Sequence, residues 1–352
     1  MKILEINTEK TWRGGERQTV RQIRGFIKAG LDVELLCRRG SPLVQKLLSM
    51  GITVHETISS FEALSFLLRL GNEYDCIHCQ TAKAQSLAVL TKSVHKRPII
   101  YTRRVDFKPK GLTTKLKYRQ TDKIIAISQA IRQVLENIGL ENIDVVPSIA
   151  EREDQDFSKI DSLKKSMDIQ NRKVIATVAA MVPHKDPWTM VNTIEELNSK
   201  RHDFLFIHFG SGELIDEIRM LVKNKNLTDV YRILGFVDEV EKLYAMFDVF
   251  VMSSEEEGLG SGVFDAFLNK VPVVSTDAGG LKELVSGRGI TCAVKDHKSL
   301  ATAINRLLDN PDCTKEMVEK AFDDTLKKYS TDILTQPYIR IFTDLSQDFP
   351  KS

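Results

Sequence analysis

The chain has 352 residues, of which 42% are hydrophobic and 28% charged, and this length and balance are typical of a soluble globular protein of two or three domains. It contains no apolar run near the roughly 20 residues that a membrane-spanning helix needs, and its five scattered cysteines argue against a disulfide framework. The start of the chain does not resemble a secretory signal, because Glu5 interrupts a short apolar patch, so a cytoplasmic protein is expected.

The formal net charge of +2 conceals two halves of opposite sign. Residues 1–150 hold 24 Lys and Arg against 14 Asp and Glu, whereas residues 151–352 hold 26 against 34. The densest basic stretch, residues 103–123, has eight basic residues against two acidic ones. It fits either an anionic membrane surface, which would place the protein peripherally on the inner face of a membrane, or a solvated loop and helix face. No nucleic-acid partner is expected, because no aromatic-interleaved basic motif or zinc finger accompanies it.

Short β-rich runs alternate with helical patterns through the first half of the chain. The run "KILEIN" (2–7) predicts a strand, followed by a Gly-containing turn and a helix through about Ala29. The segment "SPLVQKLLSMG" predicts a helix with Ser41 as its N-cap and Pro42 at its first position. Further strands are predicted at residues 32–37, 52–56, 76–80, 98–102 and 123–128.

The alternation lapses at residues 151–173, a charged stretch that predicts a linker with a short helix, and then restarts. Strands are predicted at residues 174–181, 204–210, 230–236, 249–253 and 271–276. Helices are predicted from Pro187 and at residues 213–225, 238–246 and 262–269. The chain is therefore expected to be an α/β protein with two doubly wound, Rossmann-like domains facing a cleft. The expected boundaries are 1–150 for the first domain, 151–172 for the linker and 173–329 for the second domain.

Ligands of such sheets bind at the carboxyl ends of the strands, so the strand-to-helix turns are the candidate sites. Gly14 and Gly15, in "TWRGGERQ", follow the first strand and allow the backbone to approach an anion at the helix start. In the second half, "FGSGE" places Gly210 and Gly212 between a strand and a helix. The turn "VPHKD" places Lys185 near the same edge, where it could neutralise a phosphate.

The stretch "SEEEGLGSGVFDAFL" (254–268) joins a predicted strand to a predicted helix. Its glycines allow close backbone approach, and Ser261 is expected to cap the helix. A helix N-terminus suits a diphosphate, while carboxylates accept hydrogen bonds from sugar hydroxyls. Glu257 and Asp265, eight residues apart, could supply those carboxylates. This combination fits a nucleotide-sugar.

Several segments resemble the retaining glycosyltransferases of the GT-B fold, family 4. They are "RGGERQ", "TDKIIAISQAIRQVL" (121–135), "VPHK", "GSGE", "LGFVDEVEKLYAMFDVFVMSSEEEGLGSGVFDAF" (234–267) and "KVPVVSTDAGGLKELV" (270–285). The last two together are highly specific. The family's Glu-x7-Glu element corresponds here to Glu257-x7-Asp265. The family's closing helix, which crosses back onto the first domain, corresponds to a helix at about 330–352.

The resemblance implies roles for individual residues. Glu257 would hold hydroxyls of the transferred sugar, and Lys185 would bind the donor diphosphate. Asp265 would hold the donor ribose. The expected donor-binding residues are Gly15, Gly210, Gly212, Val237, Gly260, Ser261, Gly262 and Asp265. The candidates for contacts to the acceptor, or for a catalytic role in the first domain, are Gly14, His78, Arg103 and Arg104.

The chain departs from the family pattern at three places. Ala180 stands five residues before Lys185, where the family commonly has Arg, so Lys185 would carry more of the charge. Asp265 is one methylene shorter than the family's Glu. Arg103 and Arg104 stand where the first domain of the family usually presents a His after its strand.

By this resemblance the chain is expected to be a retaining, metal-independent enzyme that needs no cofactor. It would move a sugar from a nucleotide-diphosphate-sugar to a glycan or glycolipid acceptor of the cell envelope, such as a polysaccharide or lipopolysaccharide. A catalytically silent sugar-nucleotide-binding or scaffold subunit and a sugar-nucleotide epimerase of the same architecture are the alternatives. No metal site is expected, because "DQD" (154–156) lies in the charged stretch and Cys76–Cys79 has no second pair with which to hold zinc.

Overall fold

The computed structural model of the protein describes residues 1–109, 111–169 and 171–349, and these fall into two compact units. The first unit is Met1–Ile149 with Lys328–Ser352, and the second is Ala150–Lys327. The charged stretch expected to be a linker belongs to the second unit and contains a helix at Phe157–Ser166. No helix of the described residues is both long and apolar enough to cross a bilayer.

The first unit contains a parallel sheet of seven strands. The strands are β1 (Lys2–Asn7), β2 (Asp32–Arg38), β3 (Val54–Thr57), β4 (Cys76–Cys79), β5 (Ile99–Arg103), β6 (Lys123–Ala126) and β7 (Ile143–Val145). Their order is β3-β2-β1-β4-β5-β6-β7, and every neighbouring pair is parallel. The order reverses between β1 and β4, so the turns after these two strands flank a topological switch point. The helices between the strands are α1 (Gly14–Lys28), α2 (Pro42–Leu48), α3 (Ser60–Leu70), α4 (Ala82–His95), α5 (Leu112–Arg119) and α6 (Gln129–Glu136).

The second unit contains a parallel sheet of six strands. They are β8 (Lys173–Val178), β9 (Phe204–Phe209), β10 (Tyr231–Gly235), β11 (Val249–Met252), β12 (Val273–Thr276) and β13 (Ile290–Cys292). Their order is β10-β9-β8-β11-β12-β13, with the switch point between β8 and β11. The helices are α7 (Phe157–Ser166), α8 (Pro187–Asn198), α9 (Ile215–Asn224), α10 (Ser261–Leu268), α11 (Gly279–Val285), α12 (His297–Asp309) and α13 (Pro311–Tyr329). Central strands such as β9 are completely buried, as expected for a sheet covered on both faces.

The last helix, α14 (Thr331–Asp348), packs against α1 in the first unit. The ring of Phe26 lies 5.5 Å from that of Tyr338 and 5.3 Å from that of Phe342, and all three side chains are buried. Burying each such ring stabilises the fold by roughly 1.5–3 kcal/mol. The two helices approach closely because residue 25 is Gly: a Cβ there would lie 2.3 Å from Oγ1 of Thr335.

The structure confirms each of the eleven predicted strands and the N-cap position of Ser41, and it corrects the helix predicted at 238–246. The segment predicted as an α-helix at 238–246 is a 3₁₀ helix at Val240–Met246. It follows Glu239, whose backbone is left-handed, and hydrogen bonds such as that from the Lys242 N–H to the Glu239 carbonyl join residues three apart. Ser41 is the N-cap of α2, but its side chain makes no capping hydrogen bond. The short strands β7 and β13 were not predicted.

Candidate functional site

The turns after β8 and β11 meet at the switch point of the second sheet. Lys185 ends the 3₁₀ turn Pro183–Lys185 that follows β8, and Glu257 follows β11. The ammonium group of Lys185 and the carboxylate of Glu257 form an ion pair. The Lys185 side chain is 18% exposed and that of Glu257 12%, so the pair is largely shielded but reachable. Residues 72 positions apart are thus brought into contact by the sheet topology.

Hydrogen bonds to backbone carbonyls fix these two turns. The hydroxyl of Ser253 donates to the carbonyl oxygens of Lys185 and Asp186, at 3.1 and 2.9 Å. The hydroxyl of Thr276, at the end of β12, donates to the carbonyl of Ser254 at 2.6 Å. These hydroxyls are buried and were not predicted as site residues, because the sequence alone does not show which carbonyls they reach.

Glu257 is held separately from the two glutamates before it. Its backbone carbonyl accepts a hydrogen bond from the N–H of Gly280 at 2.8 Å, at the start of α11. The Ser254 hydroxyl lies 3.4 Å from its carboxylate. In contrast, the carboxylate of Glu255 pairs at 3.0 Å with Lys295, whose side chain is 65% exposed. The side chain of Glu256 is exposed. Of the three glutamates, it is therefore the third whose side chain pairs with Lys185.

The glycines of this stretch are required by close packing. Gly260 has φ of 89°, in the left-handed region, and a Cβ there would lie 2.6 Å from the side chain of Leu281. A Cβ on Gly280 would lie 2.1 Å from the carbonyl oxygen of Gly258. Larger residues would push the β11 turn away from α11.

Helix α10 begins shortly after Glu257 in the sequence, immediately after this glycine turn. Its N-cap is Gly260, so Ser261 is the first helical residue and does not cap the helix as predicted. The glycine takes the cap position because the backbone there is left-handed. Ser261 and Gly262 are partly exposed at the first turn, where helix N–H groups have no intrahelical acceptor. Asp265 lies one turn further along and is 4% exposed.

Gly210 and Gly212 tie the β9 turn to the β8 turn. A Cβ on Gly210 would lie 1.9 Å from the carbonyl oxygen of Ala179, and one on Gly212 would lie 2.2 Å from that of Met181. The N–H of Gly210 donates to the carbonyl of Gly235 at 2.7 Å. Val237, two residues further along, is partly exposed. The predicted donor-binding residues after β9 and β10 thus lie at the same edge of the sheet as Lys185.

In the first unit, Gly14 and Gly15 form the start of α1 at the switch point of the sheet. Arg104 follows β5 and reaches this turn, because its Cδ would lie 3.8 Å from a Cβ built on Gly15. Apart from the chain neighbours of Gly15 and the backbone of its own helix, no other atom of the described residues lies within 4 Å of that Cβ position. Space is therefore open beside Arg104 above Gly15.

His78 and Arg103 are engaged elsewhere. His78 is completely buried in β4, where its ring nitrogens bond the Glu5 carboxylate at 2.6 Å and the Thr102 hydroxyl at 2.7 Å. Arg103 is 3% exposed and donates to the Tyr118 hydroxyl at 2.5 Å and to the carbonyl of Phe107. Both side chains are thus committed to packing within their own unit.

The Cys-x-x-Cys pair is inert in this fold. Cys76 and Cys79 are free thiols buried in β4. Burial raises the pKa of Cys76 to about 12, and it raises the pKa of Cys79 as well. Because the thiolate is the reactive form, neither residue suits redox chemistry.

Two family models cover most of the chain. Residues 12–150 match "Glycosyltransferase Family 4", and residues 159–324 match "Glycosyl transferases group 1". The matches fall on the two sheets described above.

Curated relatives match parts of the chain at low identity. The chain is 25% identical over 223 residues to the poly(ribitol-phosphate) alpha-N-acetylglucosaminyltransferase of Staphylococcus aureus, a match covering 62% of this chain and 43% of the relative. It is 24% identical over 234 residues to the N-acetyl-alpha-D-glucosaminyl L-malate synthase of Bacillus anthracis, covering 65% of this chain and 61% of the relative. The chain thus spans about half the length of these curated relatives.

A solved structure with the same fold is the Anabaena protein Alr3699/HepE in complex with UDP-glucose. It superposes with a TM-score of 0.86 at 19% identity, over 98% of this chain and 100% of that one.

Proposed function

Because the chain belongs to glycosyltransferase family 4 and adopts the GT-B fold, we propose that it transfers a sugar from a nucleoside-diphosphate sugar to a glycan or glycolipid of the cell envelope. The Anabaena protein of the same fold binds UDP-glucose, which supports a UDP-sugar as donor. The Staphylococcus aureus relative is named for a poly(ribitol-phosphate) acceptor, which supports an envelope polymer as acceptor.

The Lys185–Glu257 pair beside the first turn of α10 is the observation that carries this proposal. In the proposed mechanism the donor diphosphate replaces Glu257 as the partner of Lys185. Lys185 and the N–H groups at Ser261 and Gly262 then stabilise the charge that develops on the leaving diphosphate. The released Glu257 carboxylate accepts hydrogen bonds from hydroxyls of the transferred sugar, and Asp265 holds the ribose.

We further propose that transfer retains the anomeric configuration and needs neither a metal ion nor a cofactor. Retention follows from the family resemblance. Metal independence rests on Lys185, whose ammonium group supplies positive charge where the diphosphate would lie. Glu257 acts as a positioning group for the sugar and not as a nucleophile in this proposal.

A nucleotide-sugar panel tests the proposed function. In a thermal-shift assay, a UDP-sugar present well above its dissociation constant should stabilise the protein by a few kcal/mol, about 2.7 kcal/mol at a hundredfold excess. With an envelope-polymer acceptor, UDP release should continue in EDTA, and product NMR should show the donor's anomeric configuration.

Three outcomes of this assay would point elsewhere. Donor binding without turnover on any acceptor would indicate a silent subunit, the alternative that Ala180 and the absent first-domain His favour. A new sugar nucleotide formed without acceptor would indicate an epimerase. Loss of transfer in EDTA, restored by Mg²⁺, would contradict metal independence.

We also propose that the first unit docks on an anionic membrane surface through α4 and α5. A groove between these helices is lined by apolar and basic side chains, among them Leu90 and Leu116, which are 71% and 58% exposed. Lys115 and Arg119 are exposed on α5, within the basic stretch 103–123. Lys110 of that stretch lies outside the described residues. Exposed leucines flanked by basic residues suit an interface with anionic lipid.

Charge reversal on α5 tests the membrane proposal. Lys115→Glu combined with Arg119→Glu should weaken binding to vesicles containing phosphatidylserine by at least about 2 kcal/mol, or roughly 30-fold in the partition coefficient. The matched control is Lys282→Glu, an exposed position of the second unit, which should bind like the wild type. Binding should also fall as salt rises. Binding that is absent, or equally strong at high salt and in the reversed variant, would contradict the proposal.

A further inference from the structure

Arg104 is held above the switch point of the first sheet by two glutamines. Its Nη2 donates to the side-chain carbonyl of Gln22 at 3.1 Å and to that of Gln80 at 2.5 Å. Gln22 lies on α1, and Gln80 immediately follows β4, so both elements that flank the switch point contact Arg104.

The two glutamines are themselves fixed by a buried network. The amide nitrogen of Gln80 donates to the Glu5 carboxylate and to the carbonyl of Gln22, both at 2.8 Å. The amide nitrogen of Gln22 donates to the Tyr338 hydroxyl of α14 at 2.6 Å. Because the amide nitrogens of Gln22 and Gln80 donate to Tyr338 and Glu5, their side-chain carbonyls are turned toward Arg104. Glu5, Gln22, Gln80 and Tyr338 are each at most 5% exposed, which makes this support rigid.

The hydrogen-bonding capacity of the Arg104 guanidinium is only partly used by this support. Nε and Nη1 are buried and have no hydrogen-bond partner among the described residues. Of the nearby carboxylates, Glu5 bonds His78 and Gln80, while Glu16 accepts from the N–H of Arg13 at 2.9 Å. Burial lowers the pKa of Arg104, but a guanidinium stays charged in proteins. Buried guanidinium nitrogens without an acceptor are costly unless a ligand supplies one.

The surroundings leave room for such a ligand. The Arg104 side chain as a whole is partly exposed, and the space beside it above Gly15 is open. Gly15 belongs to the first turn of α1, a helix of 15 residues, whose N-terminal end favours negative charge. Arg103 differs, because both of its Nη nitrogens bond Tyr118 and Phe107, and only its Nε lacks a partner among the described residues.

We propose that Arg104 and the first turn of α1 form an anion-binding subsite for a phosphate or carboxylate group of the substrate. Phosphates and carboxylates accept hydrogen bonds from the planar N–H groups of a guanidinium, and the carbonyls of Gln22 and Gln80 fix the orientation of this one. The assignment of the anion to a substrate rests on the proposed function, whereas binding of phosphate itself does not. The anion can belong to the donor diphosphate or to the acceptor.

Inorganic phosphate is the probe for the subsite, added at constant ionic strength to protein with and without saturating UDP. Arg104→Gln should weaken the phosphate-dependent or UDP-dependent stabilisation by about tenfold or more in apparent affinity. Arg104→Lys should keep part of the effect, because it keeps the charge without the fork. Arg39→Gln, an exposed arginine of the same unit, is the matched control and should behave like the wild type.

A second variant keeps the test valid where Arg104→Gln does not fold. Gln22→Glu preserves shape and places a carboxylate beside Arg104, so it should weaken phosphate binding, while the Tyr338 hydroxyl, which accepts from Gln22, can donate to the new carboxylate instead. An unchanged response in folded Arg104→Gln and Gln22→Glu would overturn the subsite.

The two arms distinguish the source of the anion. If the subsite binds the donor diphosphate, Arg104→Gln weakens UDP binding, and phosphate does not further stabilise the wild-type protein when UDP is saturating. If it takes an anionic acceptor, UDP affinity stays within about twofold, and UDP-saturated wild type responds to phosphate through Arg104. Failure of UDP to bind at all would count against the proposed donor, not against the subsite, provided that the phosphate response still depends on Arg104.

Discussion

Replacement of Lys185 by alanine is expected to lower kcat about 10²- to 10³-fold while leaving the protein folded. The reason is electrostatic: one well-placed group that stabilises charge in the transition state contributes about 3–4 kcal/mol in a shielded site. Ala180 adds to the effect, because no arginine at that position can take over the charge. Initial rates of UDP release at saturating UDP-sugar, with the thermal midpoint of each variant, provide the measurement.

Two further variants separate lost charge from lost structure. Lys185→Arg keeps a cation, so its rate should be higher than that of Lys185→Ala. If Lys185 had only a structural role, keeping the charge would not restore the rate. Lys223→Ala removes an exposed lysine of the same unit and should leave the rate unchanged. A Lys185→Ala enzyme with near-normal turnover would remove Lys185 from the site.

The sequence was sufficient for the strands that carry the fold. Strands such as β9, "FLFIHF", are continuous apolar runs because both faces of the sheet are covered, and this signal is strong. The two strands that escaped prediction, β7 ("IDV") and β13 ("ITC"), lie at sheet edges and have three residues each. A run of three residues is too short to show a hydrophobic periodicity, so such a strand is recognised only from its pairing with a neighbouring strand.

The site could be predicted in part for a similar reason. Ligands bind at the carboxyl ends of parallel strands, and this rule was enough to place Lys185 and Glu257 at one edge of the sheet. In the structure their side chains are in contact. Which glutamate of the run does so was proposed from the family motif, and the ion pair of Glu255 with Lys295 and the exposure of Glu256 agree with that choice. The Ser261 prediction failed because a left-handed backbone at the cap favours glycine over a hydroxyl.

The environment of Arg104 could not be read from the chain. Its two supports come from α1 and from the end of β4, and the network below them ends at Tyr338, 316 residues from Gln22. Neither glutamine belongs to a motif, and glutamine carries no charge to mark a site. The same network also explains why His78, in a family-like position, is a packed core residue: it bonds Glu5 and Thr102 within the sheet.

Glu257→Gln is expected to lower kcat/KM for the UDP-sugar by about 100-fold or more without lowering the affinity for UDP. The amide keeps the shape of the side chain but presents an NH₂ group where the sugar hydroxyl needs an acceptor, and an unmatched polar group in a shielded site is costly. UDP lacks the sugar, and the loss of the Glu257 charge releases Lys185 for the diphosphate, so the affinity for UDP should not fall. Measuring UDP affinity by calorimetry and kcat/KM by UDP release separates the two effects.

The neighbouring glutamate supplies the matched control for this experiment. Glu256→Gln makes the same chemical change one residue away, on an exposed side chain, and should have no effect on either quantity. Equal losses in both variants would point to the overall acidity of the loop. A loss of UDP affinity in Glu257→Gln would place the carboxylate at the nucleotide. Selective loss of transfer with UDP binding intact is the result that assigns Glu257 to the sugar, since only a group that contacts the transferred ring can distinguish UDP-sugar from UDP.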